Sequence, residues 1–92
     1  MISSASVVSA SKTQISANLS DEVVILSTAN GVYYGLNQVG AYIWQQIQEP
    51  IRVSSVLEAL LQHYDVEESQ CANDLFAVLN DLAQYGLIEV EG

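Results

Sequence analysis

Positive charge is what this 92-residue chain has least of: Lys12 and Arg52 are its only bases, against eleven acids, for a formal net charge of -9. Nucleic-acid binding needs several Lys or Arg side chains to neutralise phosphates and release counterions, and two scattered ones do not meet that need. An anionic membrane surface is disfavoured on the same ground. Cysteine is single as well: Cys71 rules out an internal disulfide and leaves cytoplasm as the default compartment. No apolar run approaches the ~18 residues that cross a bilayer. The opening MISSASVVSASK lacks the basic start and long apolar stretch of a signal peptide. A cytoplasmic protein is the expectation.

The same scarcity bears on chemistry. His63 is the only histidine and falls late in a helical pattern, where it reads as a surface or partly packed side chain. Cys71 stands near a helix start, which favours a thiolate, but no histidine is near it in sequence; it reads as a buried or half-buried thiol. The acids Glu67, Glu68, Asp74 and Asp81 have no EF-hand spacing and read as a solvated helix face. Gly31, Gly35 and Gly40 do not make a phosphate-binding loop. These residues call for no catalytic site, no metal and no cofactor, and the chain is not expected to be an enzyme.

Half of the residues are hydrophobic and only 14% are charged, so the chain folds, with material for one modest core. The stretch around which the rest is arranged is Val23–Asn37, VVILSTANGVYYGLN. Asn30-Gly31 suits the two positive φ angles of a type I′ turn, and apolar, β-branched runs flank it. A two-residue loop pairs Ala29 with Val32, Ser27 with Tyr34 and Ile25 with Leu36. One face then carries Val23, Ile25, Val32, Tyr34 and Leu36, the other Val24, Leu26, Thr28 and Tyr33. Neither is polar, so each is expected to be covered. Residues 13–19 alternate as Ile15, Ala17 and Leu19, and Ser20-Asp21 supplies turn chemistry. The result is an antiparallel meander of about 13–19, 22–28 and 32–36. Residues 1–12, with Val7-Val8 in a Ser- and Ala-rich setting, read as a tail or a short edge strand.

From Asn37 the apolar period changes from two to about 3.6. Asn37 is a good N-cap for a helix to about Gln48 whose apolar side is Val39, Ile43, Trp44 and Ile47; Pro50 follows its end. A second helix opens at Ser54 or Ser55, where Ser55 and Glu58 have capping-box spacing, and its stripe is Val56, Leu57, Leu60, Leu61 and Tyr64. The third and longest runs from about Glu68 to Tyr85, closed by Gly86. Its apolar positions, Ala72, Leu75, Phe76, Val78, Leu79, Leu82 and Ala83, make a stripe wider than one contact requires. The closing Leu87-Ile88-Glu89-Val90 alternates once, as a short strand does. Strands followed by helices describe an α+β fold, a small sheet with helices gathered against it.

The strand 32–36, lying between a hairpin turn and a helix, is a sheet edge with no Lys or Pro to blunt it, and such edges invite strand addition. Gly35 within it marks a place where another backbone or side chain comes close. An open edge beside an apolar helix flank forms a groove for an extended peptide, with main-chain bonds for affinity and side-chain pockets for specificity.

The residues Glu22–Leu26, the block Gly31-Val32-Tyr33-Tyr34-Gly35-Leu36-Asn37, then Val39-Gly40-Ala41-Tyr42-Ile43-Trp44 resemble the PqqD-like peptide-modification chaperones, also called RiPP recognition elements. Tyr64-Asp65-Val66, Asp74–Leu79 and Gly86–Val90 are similar too, so the resemblance covers about 13–90 and implies a leader-peptide-binding domain over 13–92. It implies a winged-helix-like domain of a three-stranded antiparallel sheet followed by three helices, without catalysis. Its members bind the leader of a ribosomally made precursor as an added strand and present it to modifying enzymes. By position, Val32, Tyr33, Tyr34, Gly35 and Leu36 then supply the strand edge. Leu75, Val78, Leu79 and Leu82 supply the helix wall, with Asp74 as a polar contact; spacing does not sort these helix positions into groove and core. Members of this length resemble the recognition subunit of lasso-peptide systems, which works beside a leader-cleaving, transglutaminase-like cysteine protease, while others serve radical-SAM maturases.

Three rivals share parts of this pattern. A winged-helix DNA binder is opposed by charge, since its recognition helix carries Glu68, Asp74 and Asp81 and no base. An acidic carrier protein needs an attachment serine of Asp-Ser-Leu type, and the chain has none. A dimerisation module pairing the same edge strand with its own copy is the strongest alternative.

Overall fold

The computed structural model describes residues 2–12, 14–19, 22–28, 31 and 33–91. Its elements run β1 (Val7–Ala10), β2 (Gln14–Leu19), β3 (Glu22–Ser27), β4 (Tyr33–Leu36), α1 (Gln38–Gln46), β5 (Ile51–Arg52), α2 (Val53–His63), α3 (Glu68–Gln84) and β6 (Ile88–Glu91). The expected meander is present as the antiparallel sheet β2-β3-β4, and three helices follow it. The α+β, winged-helix-like architecture read from the sequence is the one observed.

The hairpin register differs from the two-residue expectation. Ile25 pairs with Tyr34, and Val23 with Leu36; the predicted Ser27–Tyr34 and Ile25–Leu36 pairs are displaced by two residues. A longer loop follows the last observed pair, Leu26 with Tyr33. Within it the Gly31 N–H donates to the Ser27 carbonyl at 2.8 Å, and Gly31 holds φ +72°, where a β-carbon is strained. Asn30, Ala29, Val32 and the Ser20-Asp21 turn lie outside the described residues. Because the shift is even, the paired side chains of β3 and β4 keep their predicted faces. Val23, Ile25, Ser27 and Leu36 are buried on the inner side.

A second sheet, ordered β5-β1-β6, corrects the reading of residues 1–12. They are neither tail nor edge: β1 is the central strand, Val8 opposing Ile51 on one side and Val90 on the other. Val8 is fully buried. The N-terminal segment also replaces the expected cap of α2. Val53 and Ser54 donate their N–H groups to the Ser6 and Ser4 carbonyls at 2.9 and 3.0 Å. The helix therefore starts at Val53, its N-cap Arg52 makes no side-chain bond, and Ser55 falls inside the first turn. Pairing of β5 with β1 holds the chain extended up to that point, and the backbone satisfies donors that a capping box otherwise serves.

The other helix ends follow the sequence closely. Asn37 caps α1, its side chain accepting from the Gly40 N–H at 2.9 Å. Gly40 packs closely there, and a β-carbon would sit 3.0 Å from Leu36 Cδ2, which would have to give by a few tenths of an ångström. At the end of α3, Leu87 donates to the Leu82 carbonyl and Gly86, at φ +71°, to that of Ala83. This is a Schellman closure, and it turns the chain into β6. One core joins both sheets to all three helices through Ile25, Ile43, Trp44, Ile47, Val56, Leu60, Leu75, Leu79, Leu82 and Leu87. No helix is long and apolar enough to cross a membrane among the described residues.

Candidate peptide-binding edge and cavity

β4 is hydrogen-bonded to β3 and, among the described residues, to no other strand, so one of its edges is open. Of its predicted edge residues, Tyr33 and Gly35 are exposed on the outer face, Tyr34 is half-buried and Leu36 is in the core; Val32 lies outside the described residues. The expectation that both faces of this sheet are covered fails on the outer side. Ile15 is 61% and Tyr33 70% exposed, with Val24 and Leu26 half-buried beside them. Nothing lies within 4 Å of the place a Gly35 β-carbon would occupy, so the close approach expected at this glycine is not made by the chain itself.

Tyr34 ties β4 to the C-terminal half of α3. Its hydroxyl donates to Asp81 Oδ2 at 3.3 Å, and its ring meets that of Tyr85 at 5.4 Å between centroids, tilted by 51°. Burial first, then the Asp81 carboxylate and its hydrogen bond, raise the phenol above its ordinary value of 10.0. This strut holds the sheet and helix at one end of the region.

Between α1, α2 and α3 a cavity of about 360 Å³ opens. α1 contributes Val39 and Ile43, α2 and the segment after it Leu60, Tyr64, Asp65, Val66 and Glu67, and α3 Gln70, Cys71, Asp74, Leu75 and Val78. Its interior is apolar and its rim acidic. Tyr64 is braced edge-on against Tyr42 and His63, whose rings stack at 4.4 Å. His63 is thus a packing residue on Tyr42. Cys71 is buried, and burial, with the Asp74 carboxylate second, raises its thiol above 9.0. That favours the unreactive protonated form.

The structure divides the predicted helix wall. Leu79 and Leu82 are fully buried in the core, which corrects their placement on the groove. Leu75 is also buried but closes the cavity floor, Val78 is half-buried on its side, and Asp74 is exposed at its rim. The sequence reading missed Val39, Tyr64, Val66 and Cys71 as cavity residues. Val39, on the expected apolar side of α1, is 40% exposed and lines the cavity.

Comparison with known proteins places this geometry. A solved structure described as TbiB1 in complex with the TbiA(beta) leader peptide superposes with a TM-score of 0.82 at 34% identity, covering 88% of this chain and 94% of that one. Another, a lasso peptide synthetase B1 complexed with the leader peptide, has a TM-score of 0.77 at 23% identity over 89% and 96% of the two chains, a likeness of fold. No curated protein sequence gives a significant match. The family model for coenzyme PQQ synthesis protein D (PqqD) matches residues 22–88, which span β3 to the start of β6. The chain belongs to the PqqD family.

Proposed function

We propose that this protein is a non-catalytic recognition module that captures the leader of a ribosomally made precursor peptide as a strand added to β4. It then hands the peptide to a maturation enzyme in the cytoplasm. The observation that carries the reading is the open β4 edge, in a fold whose next element, α1, lines an apolar cavity together with α2 and α3. Edge hydrogen bonds hold an extended chain of any sequence, while a pocket beside the edge selects particular side chains. The likeness to two proteins solved with leader peptides supports the same choice. On this reading Tyr33, Tyr34, Gly35, Leu36 and the adjoining Val32 form the edge, and Asp74, Leu75 and Val78 the side-chain site. The acceptor of the bound precursor is a leader-cleaving, transglutaminase-like cysteine protease, with a radical-SAM maturase as the other class.

Alternate residues of an antiparallel edge strand aim their N–H groups inward and outward. Proline at Tyr33, Tyr34 or Gly35 therefore removes either a bond to β3 or one offered to the peptide. Folded members of this set whose lost N–H faced outward are expected to lose at least about tenfold in calorimetric affinity for the TbiA(beta) leader, comparable to one hydrogen-bonded site of about 1.4 kcal/mol, and those whose lost N–H faced β3 much less. Val78→Asp is expected to match the larger loss, with Gln84→Asp unaffected. Unchanged affinity in folded proline variants at both Tyr34 and one of its neighbours, which together cover both N–H directions, places the peptide elsewhere. Dimerisation through the same edge predicts instead a concentration-dependent mass in sedimentation.

A further inference from the structure

We infer that the peptide segment seated over the cavity carries a lysine or arginine next to its buried apolar side chain. This deepens the peptide-binding reading and rests on it. The cavity interior, with Ile43, Leu75 and Val78, selects an apolar group, but Asp65, Glu67 and Asp74 stand at its mouth. All three are exposed. Five of the eleven acids of the chain fall between Asp65 and Asp81, which concentrates negative potential along this one flank. The two bases are elsewhere: Lys12 follows β1, and Arg52 pairs with Val7 in the second sheet. Among the described residues no cation forms a salt bridge with the three rim acids; the one polar partner found for them is the Ser69 hydroxyl, which donates to Glu67.

An apolar floor under three unneutralised carboxylates suits one kind of occupant. A neutral apolar segment would bring low-dielectric material against those charges and strip their water without compensation. An acidic neighbour would be repelled. A cationic residue one position to either side of the buried one lies on the opposite face of an added strand, directed away from the cavity floor, and long Lys or Arg stems bend to place the charge at such a rim. Charge thus selects the neighbour while the cavity selects the anchor.

The test scans the TbiA(beta) leader, placing Arg and then Glu at each position in turn, against three proteins. These are the wild type, the rim variant Asp65→Asn/Glu67→Gln/Asp74→Asn, and the charge-matched control Glu49→Gln/Glu58→Gln/Glu89→Gln, whose changes lie outside the cavity. At one or two neighbouring positions Arg is expected to bind about tenfold more tightly than Glu, the sum of a few screened pairs gained and repulsions avoided. That preference survives in the control and falls below about threefold in the rim variant. Equal binding of Arg and Glu peptides at every position, or a preference the rim variant retains, overturns the inference while leaving peptide capture intact. Failure of the unsubstituted leader to bind wild-type protein overturns the capture reading and this inference with it.

Discussion

The two small sheets of this molecule are equal in strand number and opposite in construction. β2-β3-β4 is a meander of consecutive strands, one side in the core and the other in solvent, with an edge left open. β5-β1-β6 is assembled from the first, middle and last parts of the chain. Its central strand is short, but it is bonded on both sides, and the residues just before it serve α2. Both sheets contribute to the core, but only the first keeps an unpaired border on a strand that follows its hairpin.

The sharpest way to break this contrast is to place a charge in each sheet. Val8→Asp buries a carboxylate in a fully enclosed position and is expected to cost several kcal/mol, enough to abolish cooperative folding in urea denaturation. Tyr33→Asp, on the open face, is expected to stay within about 0.5 kcal/mol of wild type. Comparable losses from the two would show that both sheets carry the fold. A smaller effect is expected at the joint between α3 and β6. Gly86→Ala keeps the space free but forces a β-carbon into the left-handed region, costing about 1–2 kcal/mol. An unchanged melting temperature would mean that the second sheet does not depend on that turn.

The smallest expected effect concerns the Tyr34 strut. Burial and Asp81 raise the folded phenol above 10.0, so its contribution to stability is complete below pH 10 and is lost as pH climbs through the higher folded value. Tyr34→Phe is expected to lower stability by about 0.5 kcal/mol at neutral pH, since the hydrogen bond is exposed, and to flatten the decline above pH 10. A decline that persists in the variant assigns the alkaline loss to another group.

These contrasts also explain what could be read from the residues alone. Asn37, Gly86 and the alternation of Val23, Ile25 and Leu36 act over a few positions, and the caps and faces they predict are present. The loop is longer than the two-residue turn suggests, but a two-residue shift preserves which side chains share a face, so that grouping stands although one of the faces is not covered. The second sheet was hidden because Val7-Val8 becomes a strand only through partners more than forty residues away. The Ser55 capping box lost to carbonyls donated from residues 4 and 6, a competition no local window contains. Of the candidate site, the open edge was legible because a hairpin followed by a helix leaves one side of its last strand free. The cavity was not, because Val39, Tyr64 and Cys71 come together only when three helices pack. For the same reason Leu79 and Leu82, although apolar and on the expected helix, turned out to belong to the interior.

The pairing of Val7 with Glu91 has a practical corollary. It brings the beginning and the end of the described chain side by side, so the domain enters and leaves through a single doorway. A unit built this way can be spliced into a surface loop of a larger polypeptide without pulling its ends apart.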